Sequence, residues 1–137
     1  KIKDKIREYK LCNNVSILGF INDIEELKKN YRQSDIFIMP SFYETFGLVY
    51  IEAMTQGLPI IYTKNQGIDG YFNDGVVGFS VDPSSPQEIA GSIEKVLKKY
   101  NELSLNARNN VKEFSWYTIS DTYINIYHSL LNKRSIL

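Results

Sequence analysis

Residues 41–59 read S-F-Y-E-T-F-G-L-V-Y-I-E-A-M-T-Q-G-L-P, and their reading decides the fold. An apolar run, Ile36-Phe37-Ile38-Met39, leads in and stops at Pro40. A second run, Pro59-Ile60-Ile61-Tyr62, leads out. Between them Phe46, Val49, Tyr50, Ala53 and Met54 fall at i, i+3, i+4, i+7 and i+8, the apolar face of one helix. Thr45, Phe46 and Gly47 mark its start, and Gly57 sits where a helix closes. Continuous apolar strands fit a parallel sheet covered on both faces. A strand, a polar turn and a helix N-terminus form a ready site for an anion.

Outward from this stretch, strands and helices continue to alternate. Residues 1–11 predict a short amphipathic helix, and Val15-Ser16-Ile17-Leu18 a buried strand stopped by Gly19. Asp23 with Glu26 predicts a capped helix carrying Ile24, Leu27 and Tyr31 on its buried stripe. Residues 63–76 predict a loop and 78–81 a further strand. Ser85-Pro86-Gln87-Glu88 is a strong helix start. A weaker helix over 102–113 and a last one from Ser115 to about Asn132 follow. The expectation is an α/β fold: a Rossmann-like parallel sheet of about four strands with flanking helices, in one domain over 1–137. In such sheets ligands bind at the carboxyl ends of the strands. Here those ends include residues 19–21, 40–46 and 63–69.

Composition narrows the function. The 137 residues carry 16 Lys+Arg and 16 Asp+Glu, and no basic block exceeds two residues, which argues against a nucleic-acid surface. No apolar run approaches the roughly 20 residues of a membrane span, and no signal-peptide pattern is visible. Cys12 is the only cysteine, which fits a reducing compartment. The chain begins at Lys1 in helix-like sequence, as a piece of a longer protein would.

Two acids stand out, Glu44 in the turn and Glu52 inside the helix. At 1.5 Å rise per residue their carboxylates lie on the order of 10 Å apart. That distance is too long to share a proton but suits gripping two ends of an extended ligand. Free N–H groups of the first helical turn, around Gly47, Leu48 and Val49, point between them. A diphosphate flanked by hydroxyl-bearing groups would satisfy all three features. Spacing alone leaves open that Glu44 is a surface turn residue and Glu52 a solvated helix residue. Other candidates are poorer: His128 reads as a helix-surface or packing residue, Cys12 as structural, and Ser41 has no histidine partner in view. No Asp-x-Asp, metal-ligand cluster, Walker pattern or Gly-x-Gly-x-x-Gly occurs.

The run from Met39 to Pro59 resembles the signature of retaining nucleotide-sugar glycosyltransferases of family 4, P-S-x-x-E-x-F-G-L-x-x-x-E-A-M-x-x-G-x-P. The likeness extends to N-N-V-S-I-L-G-F before it, and to G-F-S-V-D-P and E-F-S-W after it. The resemblance implies the C-terminal, nucleotide-sugar-binding domain of a GT-B fold, in part. It implies Glu44 at the donor sugar near the reacting carbon and Glu52 on the nucleotide ribose. Thr45, Phe46, Gly47, Leu48 and Val49 would hold sugar hydroxyls and phosphate, and Phe20 and Ile21 would lie near the base. The donor would be a UDP-, GDP- or ADP-sugar, with no metal or other cofactor. The acceptor, a glycan or lipid-linked molecule, would bind a missing N-terminal domain.

The resemblance has gaps. The family's preceding strand–helix units, with an Arg and a Lys that neutralise the diphosphate, are missing, so this piece alone is expected to be inactive. The family's G-G-x-P-E is here Gln66-Gly67-Ile68-Asp69-Gly70, which makes Asp69 a further candidate for donor contact. Without the missing strands, residues 15–18 would pair directly with 36–39, or a second copy would fill the gap. An apolar Trp116/Tyr123/Tyr127 face also points to self-association. A cytoplasmic protein, peripheral at the inner face of the membrane when full-length, is the expected setting, and polysaccharide assembly the expected role. A nucleotide-sugar epimerase and a non-catalytic nucleotide-sugar-binding module are the alternatives.

Overall fold

The computed structural model describes residues 1–134. The elements run α1 (Ile2–Glu8), α2 (Ile24–Arg32), β1 (Phe37–Ile38), α3 (Leu48–Thr55), β2 (Ile60–Thr63), β3 (Gly78–Val81), α4 (Pro86–Lys98), α5 (Tyr100–Asn110), a 3₁₀ turn (Val111–Phe114) and α6 (Trp116–Arg134). The strands form one parallel sheet in the order β1-β2-β3. Phe37 pairs with Ile60, and Ile60 in turn with Gly78. This is the expected α/β architecture, a parallel sheet with flanking helices.

β2 is the central strand and all four of its residues are buried. Its side chains alternate between two cores. On one face Ile60 and Tyr62 join Tyr50, Ala53 and Met54 of α3, Leu58, Ile68, Val77 and Ala107 of α5. On the other, Ile61 meets Val81, Val96 of α4 and Leu103 of α5. Burial on both faces explains the unbroken apolar run of β2. Two helix starts follow the sequence. Asp23 accepts the Glu25 N–H at 2.9 Å, and Ser85 accepts the Glu88 N–H at 3.2 Å with Pro86 in the first turn.

Two expectations are corrected. Residues 15–18 are not a strand, so the sheet has three strands among the described residues rather than about four. Val15, Ile17 and Leu18 are exposed, and β1 pairs with β2 alone. An apolar run becomes a strand only where a neighbour supplies backbone partners, and none of the described residues pairs with this one. β1 is shorter than the expected 35–40 for the same reason, being paired on one edge only. The second correction concerns α3, which begins at Leu48 and not near Phe46. Gly47 precedes it in the left-handed region, φ 82°, and the chain turns there. Phe46 thus lies outside the helix whose stripe its position matches.

At the other end, α6 carries exposed Trp116, Tyr123 and Tyr127, as the sequence suggested. No helix among the described residues is long and apolar enough to cross a membrane.

Candidate active site

The turn after β1 is tied to the end of β2 and the loop after it at three points. Thr63 donates its hydroxyl to the Ser41 carbonyl at 2.6 Å. Gln66 donates its side-chain amide to the Phe42 carbonyl at 2.9 Å and accepts the Glu44 N–H at 3.0 Å. The two partners also fix which end of the Gln66 amide is oxygen, since a flipped amide would lose both bonds. These ties hold the turn at the carboxyl edge of the sheet, where topology places a ligand site.

Glu44 is half-buried in that turn. One carboxylate oxygen accepts the Thr45 N–H at 3.0 Å. Glycines flank its side chain. A Cβ on Gly67, φ 59°, would fall 2.9 Å from Glu44 Cγ and 3.1 Å from the Phe46 carbonyl oxygen. A Cβ on Gly47 would fall 3.4 Å from Glu44 Cδ and 2.4 Å from the Tyr50 ring. The Glu44 carboxylate therefore lies against the start of α3, where the helix dipole favours negative charge. The N–H groups of Gly47, Leu48 and Val49 have no helical acceptor there; the Gly47 carbonyl takes the Tyr50 N–H. Beneath them the buried Tyr50 donates its hydroxyl to the Met39 carbonyl. Burial first, and then the Glu44 charge, push the Tyr50 phenol up to about 12.

Glu52 is exposed on α3 and borders two clefts. The larger, about 640 Å³, is walled by Phe46, Leu48, Ile51, Tyr71, Phe114 and Trp116. Its volume is in the range of small-molecule sites. Among the described residues no Lys or Arg lines it. The smaller, about 190 Å³, lies against Ile24, Leu27 and Tyr31 of α2. The Tyr31 hydroxyl is 3.4 Å from Glu52 Oε2. That is long for an O–H···O bond, so the carboxylate can accept shorter ones from a ligand. Partial burial and, after it, the Glu52 charge raise the Tyr31 phenol above its ordinary range.

The structure thus gathers Glu44, Thr45, Phe46, Gly47, Leu48 and Val49 at one turn, with Glu52 farther along the same helix. Phe46, Leu48 and Glu52 share the larger cleft. Phe20 and Ile21 line neither cleft, and Phe20 is 92% exposed. Asp69 is occupied by its own loop, accepting the Asn65 N–H at 2.5 Å and the Gly70 N–H at 3.1 Å. No group of three or more His, Cys, Asp or Glu among the described residues could hold a metal ion. The ties made by Gln66, the approach of Tyr31 to Glu52 and the packing of Phe46 on Tyr71 and Phe114 were not read from sequence, where Phe46 stood as a helix-face residue and donor contact and Tyr31 only on a buried stripe. Chemically, free N–H groups at a helix start can stabilise negative charge on a bound or departing group, and the carboxylate beside them can accept hydrogen bonds.

Known proteins resemble the chain in sequence and in fold. The profile of the family described as glycosyl transferases group 1 matches residues 1–114. An uncharacterized glycosyltransferase of Methanocaldococcus jannaschii is 32% identical over 130 residues, 92% of this chain and 33% of its own length. Sucrose-phosphate synthase from Thermosynechococcus elongatus superposes with a TM-score of 0.81 at 31% identity, over 96% of this chain and 34% of that one. HepE of Anabaena, solved in complex with UDP-glucose, superposes with a TM-score of 0.78 at 29% identity, over 93% of this chain and 36% of that one. The chain spans about a third of the length of these proteins. The structural neighbours are GT-B glycosyltransferases, which accounts for the parallel sheet and its helices. With that profile covering most of its length, the chain belongs to the glycosyl transferases group 1 family.

Proposed function

We propose that this chain is the donor-binding part, the partial C-terminal domain, of a retaining glycosyltransferase. It holds a nucleotide-diphosphate sugar for transfer to a glycan or lipid-linked acceptor bound by another domain, in polysaccharide assembly. The observation that carries this reading is the seating of Glu44 between Gly47 and Gly67, beside the free N–H groups of α3. In it Glu44 faces the donor sugar, the first turn of α3 takes the diphosphate, and Glu52 accepts the ribose hydroxyls. The HepE complex with UDP-glucose favours a UDP-sugar as donor. On this reading cations from elsewhere in the protein, and not a metal, neutralise the diphosphate. On this reading the chain alone does not turn over.

Calorimetric titration of the chain with UDP, GDP, ADP and their glucose conjugates tests the reading. Binding of one nucleotide series is expected. Glu52→Ala should weaken that nucleotide about tenfold or more, the worth of a hydrogen bond to a charged group. Unchanged affinity would remove the ribose role of Glu52, and no binding by any of the six would remove the whole reading.

A further inference from the structure

Gln66 comes from the loop after β2, yet both ends of its amide are spent on the turn that carries Glu44. Its oxygen accepts the N–H of Glu44 itself, and its nitrogen donates to the carbonyl two residues earlier. The next residue, Gly67, has no side chain where one would strike Glu44 Cγ at 2.9 Å. One dipeptide therefore grips the Glu44 backbone and leaves room for its side chain. We propose that Gln66 is the positioning residue for Glu44, setting the carboxylate for the sugar moiety of the donor and not for its nucleotide.

The placement rests on the reading of Glu44 as the sugar-facing acid. Geometry makes the role specific. Thr63 anchors the same turn through Ser41, three residues before Glu44, so the sheet edge survives loss of the Gln66 bonds. The turn at Glu44, by contrast, would keep only the bond between its own carboxylate and Thr45 among its ties. Asn is one methylene too short to span both partners. Glu keeps the acceptor but loses the donor to Phe42 at neutral pH, and adds like charge beside Glu44. Met keeps the volume and loses both bonds.

The test is the ratio of affinities for a nucleotide-sugar and its bare nucleotide, UDP-glucose against UDP, measured by calorimetry on the full chain. Gln66→Met and Gln66→Glu should each lower UDP-glucose affinity about tenfold while UDP changes less than about twofold. Exchange of the Glu44 amide proton, followed by NMR, should quicken in Gln66→Met. The proposal fails if the ratio holds in both variants, or if UDP and UDP-glucose weaken together, which is what general loosening of the loop would do. Glu44→Ala separates the two layers. If it lowers the ratio and the Gln66 variants do not, positioning alone is refuted. If neither changes the ratio, or the wild-type chain binds neither ligand, the sugar-facing role of Glu44 falls and the positioning role with it.

Discussion

Replacing Tyr50 by Phe removes one oxygen from the centre of the fold and leaves the ring in place. The ring stays against Phe37 and Tyr62, at centroid distances of 5.7 and 6.3 Å, so apolar burial barely changes. What is lost is the hydroxyl donated to the Met39 carbonyl. That carbonyl also accepts the Ser41 N–H at 2.9 Å, so the substitution does not orphan it. The cost is therefore that of one net hydrogen bond, about 1 kcal/mol, and not the larger penalty of a stranded buried acceptor. For a chain of this length that is a fall of about 3–5 °C in Tm. Thermal melts followed by circular dichroism at pH 7 measure it. The alkaline limb supplies a second reading. Below pH 10 the phenol is neutral in both folded and unfolded states. Between its ordinary value of 10.0 and the folded value of about 12 only the unfolded chain ionises, so stability falls as pH rises through that window. A phenylalanine ring has no proton to lose, so the alkaline loss of the Tyr50→Phe variant should be shallower than that of wild type. It is not abolished, because Tyr62 is also pushed upward, by burial and by Asp74 and Asp69. A Tm drop above about 8 °C, or identical slopes from pH 9 to 11, would refute the reasoning.

Two further substitutions test the frame. Met54→Ala empties a fully buried position in the core beneath α3 and should cost about 2–5 kcal/mol in urea denaturation; a change under 1 kcal/mol would mean the site collapses or is not core. Ser85→Ala removes the acceptor of the Glu88 N–H and should cost about 1 kcal/mol, with Ser85→Asp close to wild type in the same titration.

Much of the fold was legible because it rests on side-chain pattern. β2 and β3, the Tyr50–Ala53–Met54 face of α3 and the Ser85-Pro86 start of α4 all stand as read. Residues 15–18 have the same kind of apolar run, but a strand also needs a neighbour, and nothing in those four residues says whether one is present. Phe46 fits the helical period and still lies outside the helix, because Gly47 turns the backbone and the Phe46 ring packs on Tyr71 and Phe114 instead. At the candidate site, spacing put Glu44 in the turn and Glu52 inside the helix of one strand–turn–helix unit, and that is where they lie. Gln66 was not legible, since its partners lie 22 and 24 positions away and depend on how two loops approach each other. Asp69 lies in the same loop as Gln66, but its carboxylate closes a local turn, a use that its position in the sequence does not distinguish from a ligand contact.

The larger cleft has one property that bears on every binding experiment named above. Trp116, on its wall, is the only tryptophan in the chain and is 85% exposed. Its indole is already in water in the folded protein, so its emission starts near the solvent-exposed limit and responds little to loosening of the core. An occupant that covers the ring removes that water and moves the emission to shorter wavelength. The chain therefore carries a built-in optical reporter at the mouth of the cleft, separated from the ten tyrosines by its own excitation at the red edge of the protein band.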